Sequence, residues 1–251
     1  MAKDISLILD GWPFEPGKIS VRRIVGRDGR PKIQLRLDLG LLQMEVDGRP
    51  DGARPHGCDS LLHYHRDRLA RWRRRHGGDD GFTLDGEDCE RLRAEATMYY
   101  HRYISEFALG DYAAVLRDTE RNLEVLDLCA RYADTEADRA AMEQHRSYVL
   151  MMHTRSRAMQ SLEKDEFAEA RQAVEEGLEQ LREHALKHGR PEIMEDGGEA
   201  TVLKLLLEEI SLREPADAVT TLEAALAQAV ADERYEEAAR IRDKLRGLGQ
   251  G

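Results

Sequence analysis

The chain has 251 residues, 41% hydrophobic and 35% charged, with a formal net charge of −11. That apolar content supports a real core and excludes disorder along the whole length, and no apolar run reaches the roughly 18–20 residues that cross a bilayer. Residues 1–80 hold 16 Lys and Arg against 12 Asp and Glu, whereas the remainder holds 22 against 37; so acidic a C-terminal two-thirds disfavours general binding of polyanions.

The N-terminus, MAKDISLILDGWP, has an early Asp and no sustained apolar stretch, so it does not read as a signal peptide. Cys58, Cys89 and Cys129 are odd in number and form no CxxC, which speaks against a disulfide framework. These features predict a soluble, cytoplasmic protein with no membrane partner.

Ile5–Leu9 reads as a strand, and Ile19, Val21 and Ile24-Val25 as another. Asp28-Gly29 favours a primed hairpin turn. Ile33, Leu35, Leu37 and Leu39 alternate with polar residues, as do Leu42, Met44 and Val46, but the parity switches across Gly40. A one-residue slip would turn an apolar face to water, so Gly40 marks a bulge or tight bend. A three- or four-stranded antiparallel sheet follows. The next stretch, Asp47–Gly57 (DGRPDGARPHG), is too rich in Gly and Pro for regular structure, and its polar groups are Arg49, Asp51 and Arg54.

Ser60–Arg75 suits a basic helix with Leu61, Leu62, Leu69 and Trp72 inward, ended by His76-Gly77-Gly78. Its arginines, Arg66, Arg68, Arg71, Arg73, Arg74 and Arg75, read in two ways: a grip on phosphate or an acidic partner, or a solvated helix end that opposes the negative C-terminal dipole. Arg49, Arg54, Arg71, Arg74 and Arg75 are the candidates for phosphate or acidic-partner contact.

Beyond residue 80 the periodicity is helical. Asp85 or Asp88 caps a helix to about Leu109; others cover Tyr112–Tyr132, Glu136–Leu162, Phe167–Lys187 and Ala200–Arg213, the last ended at Glu214-Pro215. Two more cover about Ala216–Ala231 and Tyr235–Leu248. One corner recurs at Tyr112, Phe167 and Tyr235: a polar break, an aromatic, and three residues later Val115, Ala170 or Ala238. The aromatic plugs the turn between antiparallel helices, and the residue three on lies on the same side, where the helices approach. Ala158, Phe167, Ala170 and Gly177 resemble the tetratricopeptide-repeat pattern. The 55-residue spacing from Tyr112 to Phe167 exceeds the roughly 34 of that repeat, so longer stacked hairpins are expected.

The C-terminus carries the more specific pattern. Tyr235-Glu236-Glu237-Ala238-Ala239-Arg240-Ile241-Arg242-Asp243-Lys244-Leu245 has aromatic–Glu–x–Ala–Ala–x–aliphatic–Arg–Asp–x–aliphatic without a gap. It resembles the UVR motif, named for UvrB and UvrC and found in Clp ATPases and their regulators. The likeness covers roughly Leu222–Leu248. It implies a short antiparallel helical hairpin for protein–protein contact, packed by Tyr235, Ala238, Ala239, Ile241 and Leu245, with Glu236, Arg242 and Asp243 as polar positions. The N-terminal part lacks the CxxC pairs of some Clp regulators, so their zinc site is not implied. A few residues, Val46–Gly52, resemble a strand-loop signature of bifunctional nuclease domains, in a region too short for that domain.

Catalytic patterns are weak. His56, Cys58, His63 and His65 have metal-ligand chemistry, but His63 and His65 sit two apart on a helix and point away from each other. Tyr99, Tyr100, His101 and Tyr103 read as packing, Met151-Met152 and Met159 as core or adaptable contact surface, and Asp118, Glu120, Arg121 and Asn122 as pairs between hairpins. No nucleotide, hydrolase or metalloprotease motif occurs, so no cofactor or metal is assigned.

The expected architecture is α+β, mainly α: a β-rich module at 1–57, a basic helix and linker at 58–80, tetratricopeptide-like hairpins at 81–190, and a helical segment at 199–251 ending in the UVR hairpin. The expected function is a non-enzymatic bacterial adaptor that binds another protein through Tyr235, Glu236, Ala238, Ala239, Arg242 and Asp243. The alternative is a nucleic-acid-associated repair or processing accessory that binds through the β-module and the arginine-rich helix.

Overall fold

The structure, a computed structural model, describes residues 4–214, 218–232 and 234–248, without the side chains of 218–221, 223, 224 and 243–248. It divides into two compact units, one through Leu207 and one from Glu208. It is 65% helical with a small N-terminal antiparallel sheet followed by stacked helices, which is the expected α+β, mainly α class.

Three strands, β1 (Val21–Val25), β2 (Pro31–Arg36) and β3 (Leu41–Glu45), form an antiparallel sheet in the order β1-β2-β3. Ile33 pairs with Met44 and Leu35 with Leu42, so odd positions of β2 share a face with even positions of β3. That register explains the parity switch, and the connection is a tight bend in which Leu37 and Gly40 exchange backbone hydrogen bonds. The apolar face carries Ile33, Leu35 and Met44 against Ile104 and Leu109. The opposite face is polar. Arg22 donates to Gln34 at 2.8 Å, and Gln34 donates to Gln43 at 2.9 Å, along one cross-strand row. Lys32 is buried between Asp28 and Glu45.

Two local expectations are corrected here. Ser6–Leu9 is one helical turn, α1, not a strand; Asp4 accepts from the Ser6 N–H and starts it. The β1–β2 connection is not a primed turn, because Gly29 alone takes positive φ (+76°) while Asp28 does not. Asp28 instead accepts from the Arg30 N–H, and Gly26 bonds back to Arg30.

The helices begin where short polar side chains cap them. Ser60 accepts from the His63 N–H at the start of α2 (Leu61–His76), Asp85 caps α3 (Gly86–Ala108), and Asp111 caps α4 (Tyr112–Tyr132). Gly77 ends α2 in the left-handed region at φ +76°. The predicted single helix over 136–162 is two helices, α5 (Glu136–Glu143) and α6 (Arg146–Leu162). The segment contains no Gly or Pro to signal that break. Tertiary anchors set it: Met142 is buried in the core beside α3 and α4, while Arg146 is gripped by Glu143 and by Asp127 of α4.

The close crossing of α6 with α7 (Phe167–His188) rests on small residues. Ala158, Ala170, Ala173 and Val174 are all buried. A Cβ on Gly177 would lie 2.2 Å from the Thr154 Oγ1, so only Gly fits there. The expected residues three on from each corner aromatic, Val115, Ala170 and Ala238, are buried in every case. Helix α8 (Glu199–Arg213) turns Leu203, Leu206 and Ile210 inward. The expected stop at Glu214-Pro215 lies at the edge of the described residues. Helices α9 (Ala218–Ala231) and α10 (Tyr235–Leu248) pack together as a hairpin within the second unit. Among the described residues no helix is long and apolar enough to cross a membrane.

Candidate functional site: a C-terminal hairpin and an arginine-bearing helix

The hairpin corner is built from backbone and surface polar bonds. The Arg234 N–H donates to the Ala229 carbonyl at 2.8 Å, closing the turn between α9 and α10. Arg234 then reaches Asp232 and Glu237, and Gln228 donates to Asp232 at 3.0 Å. Hydrogen bonds from Gln228 and Arg234 hold the Asp232 carboxyl below its ordinary value. Ala229 and Ala238 are buried, as close helix packing requires.

Tyr235 departs from the expected packing role: it is 66% exposed. As the first residue of α10 it sits beside the turn, and Ala238 occupies the buried position one helical turn on. Val230, just before the turn, is 51% exposed. The corner thus displays an aromatic and an aliphatic side chain. Glu236 and Arg242 are exposed, and Ala239 and Ile241 are half-buried. The side chains of Asp243 and Leu245 lie outside the described residues.

The five N-terminal arginine candidates do not form one group. Arg49 is held inside the fold by Asp51 at 3.1 Å and Glu95 at 3.4 Å, with its side chain 12% exposed. It therefore serves the anchoring of its own loop, and no phosphate reaches it without displacing those carboxylates. Arg54 is exposed and pairs with Asp59 at 2.8 Å. On α2, Arg66, Arg68 and Arg73 pair with Glu124, Asp88 and Asp79. Arg71, Arg74 and Arg75 stay exposed, with no ion pair among the described residues.

What lies behind these surfaces is a buried ionic frame. Glu95, wholly buried, accepts from the Leu61 N–H at 2.9 Å and from Arg121, which locks the N-terminus of α2 onto α3 and α4. Arg102 is also buried; it makes two hydrogen bonds to Asp118 and donates to the carbonyls of Glu45 and Gly48. The loop after β3 is therefore strapped to α3 and α4. Of the residues expected to pair between hairpins, Asp118, Arg121 and Asn122 instead pair within one, with Arg102, Glu95 and the Ala96 carbonyl of α3, whereas Glu120 is exposed. Burial, with the Asp118 charge beside it, lifts the Glu106 carboxyl to about 8, even though Arg117 lies 3.0 Å away.

His56, Cys58, His63 and His65 do not converge. His56 stacks on Tyr64 at 4.1 Å, His63 is exposed near Asp59, and His65 is buried against Arg68 and Asp88. Burial pushes the His65 imidazole down to about 4. Elsewhere the fold gathers a His/Glu group that the sequence reading missed: Glu143 at the end of α5 with His184 and His188 on α7. The i, i+4 pair in HALKH was the available signal, but its third member lies on a different helix.

Residues 217–250 match the family model described as UvrB/uvrC motif (UVR). No curated protein and no solved structure matches the chain. The chain therefore carries a UVR motif at its C-terminus, and the motif coincides with the α9–α10 hairpin.

Proposed function

We propose that this protein is a non-enzymatic adaptor, in which the C-terminal UVR hairpin docks on another protein while the helical unit serves as its carrier. The observation that carries the reading is the exposure of Tyr235 and Val230 at the corner of the hairpin, over a seam of buried alanines. An exposed aromatic and an exposed aliphatic residue flanking one turn, together with Asp232, Arg234 and Glu237, match the composition of an interface centre with a polar rim. Tyr235, Glu236, Ala238, Ala239, Arg242 and Asp243 are assigned to that contact, Ala238 and Ala239 as the packing beneath it. The reading places the protein in a bacterial cytoplasm.

The test is affinity capture from the native host with the full chain, the Tyr235→Ala/Val230→Ser variant, and a chain lacking residues 216–251. Loss of the same proteins from both altered chains supports the adaptor; an unchanged set of captured proteins refutes it.

A second reading, nucleic-acid association through α2, is favoured by the exposed Arg71, Arg74 and Arg75, which have no ion pair among the described residues. Binding of labelled DNA or RNA that weakens as salt rises and is lost in an Arg71/Arg74/Arg75→Ala triple variant would support it. Binding that ignores both changes, or none at all, removes it.

A further inference from the structure

Glu143, His184 and His188 come together from two helices at one wall of a cavity of about 700 Å³. Their ligand-capable atoms all lie within 4.8 Å of one another. Glu143 Oε1 stands 3.6 Å from His184 Nδ1 and 3.6 Å from His188 Nε2. Neither separation is a hydrogen bond. Both are close to the roughly 3.3 Å that separates ligands around a tetrahedral ion with bonds of about 2.0–2.1 Å.

A second observation points the same way. His184 is 6% exposed, yet neither of its ring nitrogens makes a hydrogen bond: Nε2 is buried without a partner, and Nδ1 faces only the distant Glu143 oxygen. A buried ring nitrogen left without a partner costs its desolvation. An ion taken by Nδ1, the nitrogen turned to Glu143, would give the ring a polar partner on that side, while Nε2 stays an unpartnered N–H. The carboxylate is already aimed, since Arg146 holds Glu143 through both oxygens and is itself anchored by Asp127. An arginine so near opposes a cation, but its charge is matched by these two carboxylates, and an outer partner that orients a ligating carboxylate is a common feature of metal sites.

We propose that Glu143, His184 and His188 form a binding site for a divalent transition metal, zinc(II) by ligand type, that clasps α5 to α7 and leaves its fourth position to water or to a ligand from the cavity. Two imidazoles and one carboxylate suit zinc better than calcium or magnesium, which take mainly oxygen ligands. The inference is independent of the adaptor reading, because none of the three residues belongs to the hairpin.

The experiment is equilibrium dialysis of the full-length protein against zinc chloride, with thermal unfolding as a second readout. The wild-type chain should hold one equivalent and unfold at a higher temperature with zinc than with a chelator. His188→Gln, at a side chain 32% exposed where folding is not at stake, should weaken binding about tenfold or more and abolish the thermal shift. Glu143→Gln and His184→Gln should do the same. Absence of bound zinc in the wild-type chain overturns the proposal. So does binding that survives His188→Gln and disappears in a Cys58→Ser/His63→Gln variant.

Discussion

The two units of this chain handle charge in opposite ways. Through Leu207, charged side chains are taken inside: Glu95, Arg102, Glu106 and Asp118 are all nearly inaccessible to water, and each is held by partners on another element or in a loop. In the C-terminal hairpin the described ion pairs, such as Arg234 with Asp232 and Glu237, stay on the surface. Among the described residues, the buried positions there are Ala229 and Ala238. Exposed pairs contribute little to stability, whereas a buried pair that loses one partner leaves an uncompensated charge. The helical unit thus depends on particular charges, whereas the described ion pairs of the hairpin add little to its stability.

The largest effect should come from breaking the buried frame. Arg102→Met strands the Asp118 and Glu106 carboxyls and frees the carbonyls of Glu45 and Gly48, and should cost about 3–5 kcal/mol in chemical denaturation. Next comes the helix crossing. Gly177→Ala drives a methyl into Thr154 and should cost about 2–3 kcal/mol; the double variant with Thr154→Ser should recover part of that loss.

Histidine protonation should act on the helical unit, since every histidine of the chain lies at or before residue 188. The His65 imidazole is depressed from 6.5 to about 4, so as pH falls below 6.5 the unfolded chain takes up the proton first. Stability present at neutral pH is therefore lost between about 6.5 and 4, by about 1–2 kcal/mol at pH 5. The difference in denaturant midpoint between the wild-type chain and His65→Leu across that range measures it, because the raised Glu106 carboxyl acts in the opposite direction in both chains. The smallest effect on stability belongs to the hairpin: Tyr235→Ala should change the unfolding midpoint by less than about 0.5 kcal/mol, because the side chain is mostly exposed.

Much of this fold was legible because local chemistry and tertiary structure agree. The parity switch at Gly40 named the bend between β2 and β3, and Asp85, Asp111 and Gly77 stand at helix ends that caps and breakers predict. Val115, Ala170 and Ala238 were identified by position three after each corner aromatic. Long-range packing was not legible. The break at Gln144-His145 has no breaker residue, and it is imposed by Met142 and Arg146 reaching neighbours remote in sequence. Glu95 and Arg102 look like ordinary solvated positions of a charged helix, because nothing local reveals that α2 and the loop after β3 cover them. The hairpin itself was recognised by motif, yet the motif did not reveal that Tyr235 faces outward. The Glu143, His184 and His188 group was hidden for the same reason as the helix break: one member comes from another helix.

The central claim is that the hairpin corner is where this protein meets its partner. Site-specific photo-crosslinking in the native host tests it most directly, with a photoreactive phenylalanine analogue placed at Tyr235 in one chain and, as a control, at Leu186, which is 71% exposed on the helical unit. The account predicts a discrete protein adduct from position 235 and none of that mass from 186. No adduct at 235, or the same adduct from both positions, would contradict it.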